Sequence, residues 1–119
     1  MQDFRNLKVW ENAHAFTLEI YKASATFPRQ EQYGFTSQVQ RAAVSIPANI
    51  AEGCAKATDA DFARYLQIAM GSSSELEYLH LLAHDLSYLS DESDAAINVS
   101  LIQVRKMLNS FLQTLRANR

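Results

Sequence analysis

Glycine and proline are scarce in this sequence, with three and two residues respectively among 119. Because these residue types mark the turns between short strands, their scarcity argues against an all-β fold. With 48% hydrophobic residues, the composition instead favours a few long helices. A chain of this length builds one hydrophobic core, so we expect a single domain over residues 1–119.

Cysteine and long apolar runs are also nearly absent. The single cysteine, Cys54, has no second cysteine for an internal disulfide, and nothing in this pattern suggests an oxidising compartment. No apolar run approaches the ~20 residues that a membrane-spanning helix needs, and the first residues lack the basic and then apolar order of a signal peptide. We therefore expect a cytoplasmic protein that does not contact the membrane.

Acidic residues stop at Asp94. Residues 95–119 contain four basic residues and no acidic one, whereas residues 1–94 contain seven basic and thirteen acidic residues. The overall charge of −2 gives no general attraction to nucleic acid, but an oligomer would repeat the basic segment and strengthen weak phosphate contacts. The alternative is an ordinary solvated helix end, where cations suit the helix dipole. The candidate RNA contacts are Arg105, Lys106, Arg116 and Arg119.

What the sequence does contain is helical periodicity. We expect a first helix from an N-cap at Asp3 to just before "FPRQ", a second from about 31 to 54, a third from 59 to about 89 and a fourth opening at "SDESD". Thr58 and Asp61 form a capping box for the third helix. Short connections make successive helices antiparallel, which predicts an all-α, up-down-up-down four-helix bundle. The fourth helix has the most regular apolar seam, formed by Ile97, Leu101, Val104, Leu108, Phe111 and Leu115.

Pro47 interrupts the second helix without interrupting its apolar face. Val39 and Ile46 before it and Ile50 after it keep the helical spacing. Proline removes the amide that would bond the carbonyl of Ala43, at a cost of roughly 3 kcal/mol in a regular helix. We expect the helix to continue through Pro47 with a kink. Small residues in the middle of the second and third helices, including Gly71, would compensate by close packing.

Polar side chains flank the apolar stripes of the second and third helices. Antiparallel pairing around the turn near residue 56 brings Arg41 level with Ser72 and Glu75, so we expect Arg41 within hydrogen-bond reach of the third helix. Partly buried polar groups need partners, and these residues either set the register of the helix pair or form a binding patch. The flanks are formed by Gln38, Arg41, Ser45, Asn49 and Glu52 on one helix and by Asp61, Arg64, Ser72 and Glu75 on the other.

The pattern Glu-x-x-His occurs twice, as Glu11 with His14 and as Glu77 with His80. A carboxylate-bridged two-metal site would need both pairs and a glutamate from each remaining helix. The fourth helix has no carboxylate after Asp94. We expect no metal, no cofactor and no catalytic residue, and a carboxylate/histidine metalloenzyme is the less favoured alternative.

The first helix carries two apolar stripes. One joins the bundle core, and the other is centred roughly 140° away, too far for one helix to bury both. The third helix has a similar surplus, and tryptophan and tyrosine are frequent interface anchors. The alternative is that helix tilt buries Trp10 within its own bundle. The expected subunit interface comprises Leu7, Trp10, His14, Leu18, Tyr21, Tyr78 and Leu82.

Three stretches carry a family resemblance: "FRNLKVWENAH", "FPRQEQYGFTSQVQRAAVSIPANIAEG" and "FARYLQIAMGSSSELEYL". They resemble the four-helix-bundle family of 23S rRNA intervening-sequence proteins. More distantly, the chain is similar to the accessory variability determinant of diversity-generating retroelements. The resemblance implies a homo-oligomer, with a ring-like pentamer as the leading stoichiometry, and no established enzymatic activity. We therefore expect a non-catalytic oligomeric binding protein whose further partner is RNA or an RNA-associated protein.

Overall fold

A computed structural model describes residues 3–117 of the chain. Four α-helices account for most of these residues: α1 (Lys8–Ser24), α2 (Phe35–Cys54), α3 (Asp59–Asp85) and α4 (Asp91–Ala117). Each helix packs against the next and α4 closes on α1, whereas the diagonal pairs do not pack within the described range. The helices therefore stand at the corners of a square, and the predicted antiparallel four-helix bundle is confirmed.

The core lies along the axis of a molecule that measures 46 × 24 × 21 Å. The predicted seam of α4 is buried along its length, except that Phe111 is half-buried and Leu112 is buried beside it. Phe111 meets Phe62 of α3 edge to face, with ring centroids 5.1 Å apart. None of the described helices combines the length and the apolar character that crossing a bilayer requires.

The first two helices begin later than the sequence predicts. Asp3 caps only a one-turn 3₁₀ helix over Phe4–Asn6, because Leu7 is extended and separates that turn from α1. Before α2, a second 3₁₀ turn occupies Arg29–Glu31. Gly34 then adopts φ −120° and ψ −104°, so α2 starts at Phe35 rather than near residue 31.

The start of α3 is as predicted, and its end is not. The Thr58 hydroxyl accepts a hydrogen bond from the Asp61 amide at 3.1 Å, which confirms the N-cap. The helix stops at Asp85 instead of near residue 89, because Ser87 takes a left-handed conformation with φ 64°. The amides of Tyr88 and Ser87 then bond back to the carbonyls of Ala83 and His84, each at 2.9 Å. These two bonds are those of a Schellman motif, which closes the last turn of α3.

The second helix runs unbroken through Pro47, as predicted. The carbonyl of Ala43, which loses its usual amide donor to the proline ring, receives another donor from α1. The Thr17 hydroxyl lies 3.2 Å from that carbonyl and 2.8 Å from the carbonyl of Ala13. Because the single hydroxyl proton is shared with the closer Ala13 carbonyl, this side chain of the neighbouring helix compensates in part for the missing backbone bond. The kink itself stays a prediction.

Close packing of α2 and α3 depends on Gly53. A Cβ atom at this position would lie 2.8 Å from Phe62 Cδ1 and 2.8 Å from Tyr65 Cβ, which is closer than van der Waals contact permits. Gly71, which we expected to serve close packing, faces open space with nothing within 4 Å of an added Cβ. That expectation was wrong, because the buried small residue at this level of α3 is Ser73.

Candidate functional site

The polar groups between α2 and α3 centre on Ser45. Its hydroxyl accepts a hydrogen bond from the Ser72 hydroxyl at 2.7 Å and another from the Asn49 amide nitrogen at 3.0 Å. That amide nitrogen also donates to the Ser45 carbonyl at 2.7 Å. Ser45, Asn49 and Ser72 are all half-buried, so this part of the cluster links the two helices and helps to set their register.

Arg41 does not make the contact that we expected. It is exposed, and the described structure contains no hydrogen bond or ion pair of its side chain. Gln38, one turn earlier in α2, takes that place and donates from Nε2 to Glu75 Oε2 at 3.4 Å. The longer arginine side chain is left at the outer surface.

At the other end of the two polar flanks, Glu52 and Arg64 make no described contact with each other. Glu52 is exposed, and Arg64 turns to its own helix, with Nε 4.0 Å from Asp61 Oδ1 and the guanidinium 4.9 Å from the Tyr65 ring centre. Lys56 approaches the same ring, with its ammonium 5.0 Å from the centre. The tyrosine ring thus attracts the two cations near the α2–α3 turn.

The basic residues of α4 occupy different environments. Arg105 is half-buried and bonds Glu77 at 3.0 Å and the Ser74 hydroxyl at 3.1 Å, so it links α4 to α3 and its charge is already compensated. Lys106 and Arg116 are exposed, and no ion pair of either is found in the described range. Arg119 lies outside the described residues.

The two Glu-x-x-His pairs are not brought together. Glu11 lies 3.7 Å from Lys8, and His14 stacks on Trp10 with ring centres 4.9 Å apart. Glu77 is held by Arg105, while His80 bonds elsewhere. Within residues 3–117, no group of three or more histidine, cysteine, aspartate or glutamate side chains is placed to hold a metal ion.

Two histidine–aspartate pairs join the end of α3 to the start of α4. His80 is 8% exposed, and its Nε2 lies 2.9 Å from Asp94 Oδ1. Its Nδ1 is buried and has no hydrogen-bond partner among residues 3–117. His84 Nε2 lies 3.1 Å from Asp91 Oδ1. This hydrogen bond raises the pKa of His84 above its ordinary value, with a further rise from the charge of Asp94. Both pairs favour the antiparallel docking of these helix ends.

Sequence reasoning missed these pairs because Asp91 and Asp94 lie in the stretch "SDESD", which it interpreted only as the start of the fourth helix. The signal was two histidines four residues apart, followed by a run of acids. Around them lies a surface depression of about 520 Å³, which we call the acidic cleft. Its lining includes Glu77, Tyr78, His80, Leu81, His84 and Asp94.

The expected subunit interface is only partly exposed. Leu18 and Tyr21 of α1 are 58% and 42% exposed, and Val44 of α2, which the sequence did not single out, is 41% exposed. We call these three residues the apolar face. The Thr17–Ala43 hydrogen bond fixes the register of α1 and α2, which places Leu18 and Val44 within about one helical turn of each other.

The remaining predicted interface residues differ in environment. Trp10 is half-buried, packs edge to face on Phe4 at 4.8 Å and lies against the core, as does the half-buried Leu7. On α3, Tyr78 is 60% exposed and Leu82 is half-buried. Trp10 therefore packs within its own subunit, while its place in a subunit interface stays a prediction.

Comparison with known proteins agrees with this architecture. The profile of the 23S rRNA-intervening sequence protein family matches residues 5–110. A crystal structure from Bacteroides thetaiotaomicron, described as a protein with unknown function from the S23 ribosomal protein family, superposes with a TM-score of 0.81. The two chains are 26% identical, and the match covers 88% of this chain and 95% of that one. No curated protein matches the chain. The family profile covers most of the helical bundle, and the chain belongs to the 23S rRNA-intervening sequence protein family.

Proposed function

We propose that this protein is a non-catalytic binding protein that works as a homo-oligomer. The observation that carries this proposal is the exposure of large apolar side chains on regular helices, with Leu18 and Tyr78 58% and 60% exposed. Grouped apolar residues on a rigid surface are typical of protein interfaces, where aromatic side chains contribute much of the binding energy. The fold supplies rigid surfaces for binding, and the proposal requires no bound cofactor.

A ring of five subunits is the stoichiometry that the family resemblance favours. Light scattering of the purified protein measures this directly, and we expect a mass of five times the 13.4 kDa chain. Leu18→Ser should reduce that mass, whereas Val99→Ser, which changes an apolar residue of α4 that is 67% exposed, serves as the matched control. A wild-type monomer at micromolar concentration would contradict the proposal.

RNA binding is the second candidate function. It is supported by Lys106 and Arg116, which are exposed and carry no described ion pair. In an antiparallel bundle the end of α4 lies beside the α2–α3 turn, where Lys56 adds a positive charge, whereas Arg64 is paired with Asp61. Oligomerisation would repeat this end of the bundle and strengthen weak phosphate contacts.

An RNA titration at low and at moderate salt tests this second function. We expect binding at low salt that weakens as salt rises, because phosphate contacts release counterions. Replacing both Lys106 and Arg116 by alanine should weaken binding, whereas Arg105→Ala is a poor probe because it breaks the contact with Glu77. Absent binding at low salt, or binding insensitive to salt, would remove phosphate contact as the mechanism.

A further inference from the structure

We infer that neighbouring subunits meet through two different surfaces, with the apolar face of one copy seated on the acidic cleft of the next. This inference rests on the proposed self-association and names the contact that would produce it. Each surface combines exposed apolar side chains with charges of one sign, and the signs of the two surfaces are opposite. The occupant of the cleft is therefore a second copy of this chain.

The apolar face is bordered by cations on both sides. Lys22 follows Leu18 by one helical turn on α1, and Arg41 precedes Val44 by one turn on α2. Both cations are exposed, and the structure as described pairs neither with a carboxylate. Leu18, Tyr21 and Val44 thus form an apolar strip between two uncompensated positive charges.

The acidic cleft has the complementary arrangement. Tyr78 and Leu81 are 60% and 55% exposed, and they provide its apolar part. Asp94 lines the cleft with them, and Asp85 and Asp91 lie against His84 of its lining. The ion pairs described for these aspartates involve only histidine. Glu77, by contrast, is already neutralised by Arg105. The cleft therefore presents exposed apolar groups among carboxylates that no lysine or arginine of the described subunit neutralises.

The apolar face and the acidic cleft lie on opposite sides of the bundle, so the contact between subunits is heterologous and joins two different surfaces. The apolar face lies on the side formed by α1 and α2, and the cleft lies on the side formed by α3 and α4. Because the helices stand in a square whose diagonal pairs do not pack, these are opposite sides of the molecule. A subunit can then bind one neighbour on each side, which produces a closed ring when the rotation between subunits closes.

Like-charge repulsion disfavours the symmetric alternatives. A twofold contact between two apolar faces would bring Lys22 and Arg41 towards the same cations of the partner. A twofold contact between two clefts would gather at least six aspartates. Pairing the face with the cleft places opposite charges around the buried apolar groups, which favours this partner and disfavours the others. The same carboxylates repel RNA phosphates from the cleft.

Complementing variants provide the test. The face variant carries Leu18→Ser with Tyr21→Ser, and the cleft variant carries Tyr78→Ser with Leu81→Ser. We expect each variant alone to be a monomer by light scattering at a concentration where the wild type assembles. Mixed in equal amounts, they should form a dimer with one chain of each, because the intact cleft of the first accepts the intact face of the second. Val99→Ser with Ile102→Ser, which changes exposed apolar residues of α4, should assemble like the wild type.

A second set of variants leaves every apolar residue in place, so it remains informative even if the serine variants unfold. Lys22→Glu with Arg41→Glu reverses the charge of the face, and Asp85→Lys reverses charge at the cleft. Each alone should assemble less than the wild type. In their mixture unlike chains should associate again, because both contacts between unlike chains then join opposite charges. Circular dichroism checks that each variant is folded.

The outcomes separate this inference from the proposed function. A wild-type monomer would remove the proposed function and the inference together. A wild-type oligomer whose folded single variants do not complement one another would retain self-association and overturn the pairing of face with cleft. Assembly that survives the loss of Tyr78 and Leu81 would also overturn it, and the cleft would then be assigned to another molecule, such as a basic protein.

Discussion

Thr17 illustrates at the scale of one residue how the bundle accommodates an internal proline. Pro47 leaves the carbonyl of Ala43 without its usual amide donor, and the Thr17 hydroxyl lies 3.2 Å from that carbonyl. An unpaired buried carbonyl costs about 1–3 kcal/mol, so this contact is worth a substantial part of the stability of a small domain.

A double-mutant cycle measures this compensation. We expect Thr17→Val to lower the free energy of unfolding by about 1–3 kcal/mol, because the Ala43 carbonyl loses its donor. In a Pro47→Ala background the restored backbone amide bonds that carbonyl, so the same substitution should cost less. Denaturant unfolding of the four proteins at one protein concentration gives the coupling. Equal losses in both backgrounds would show that the hydroxyl does not replace the missing amide.

Gly53 and Gly71 form a second test at this scale, since both lie inside helices but in opposite environments. Gly53→Ala should destabilise the protein by about 1–3 kcal/mol, because the added methyl group meets Phe62 and Tyr65 at 2.8 Å. Gly71→Ala should stabilise it by about 0.5–1 kcal/mol, because alanine is the better helix former and the site is open. Thermal or denaturant unfolding measures the change in stability of both variants. If both substitutions destabilise the protein, or both stabilise it, the packing described is wrong.

At the scale of elements, the connection between α3 and α4 is held by side chains as well as by backbone. His84 lies in the last turn of α3 and Asp91 in the first turn of α4. A cation near a helix C-terminus and an anion near an N-terminus are both favoured by the helix dipoles. Protonation of His84 therefore strengthens two interactions at once: its hydrogen bond to Asp91 and its contact with the C-terminal end of the α3 dipole.

This connection should depend on pH. Because folding raises the pKa of His84, protonated His84 stabilises the fold fully below its ordinary pKa of 6.5, and the contribution is lost as the pH rises through the folded-state pKa. At about pH 5 aspartate is still ionised. We expect His84→Gln to lower the melting temperature at about pH 5 and to have little effect at about pH 8.

His14→Gln is the matched control for that measurement, because it changes a histidine for which residues 3–117 show no ion pair. Asp91→Asn should reproduce much of the loss caused by His84→Gln near pH 5. A loss that is the same at both pH values would mean that the ring packs without contributing through its charge.

The whole molecule should respond to its own concentration if subunits associate. Assembly stabilises the folded state by mass action, so the melting temperature should rise with protein concentration. Leu18→Ser with Tyr21→Ser should remove that dependence, while Val99→Ser should preserve it. Differential scanning calorimetry over a hundredfold range of concentration measures both slopes. A wild-type melting temperature that does not change with concentration would argue against assembly.

Local sequence determined the helices themselves. The apolar residues from Ile97 to Leu115 alternate at three- and four-residue spacing, which predicts one buried helical seam. The N-cap of α3 is a hydrogen bond between Thr58 and Asp61, which are only three residues apart. Family membership was likewise readable from the three quoted stretches and is now supported over residues 5–110. These features depend on near neighbours in the chain, which is why sequence reasoning recovered them.

Tertiary structure alone decided which polar groups meet. Glu75 meets Gln38 rather than Arg41, and His80 meets Asp94. These pairings depend on axial offsets of a few ångströms between helices. A helical wheel gives the angle of a side chain but not that offset, so it could not select among neighbours one turn apart. Likewise, the placement of the apolar face and the acidic cleft on opposite sides follows from the square arrangement of four helices, which no single segment specifies.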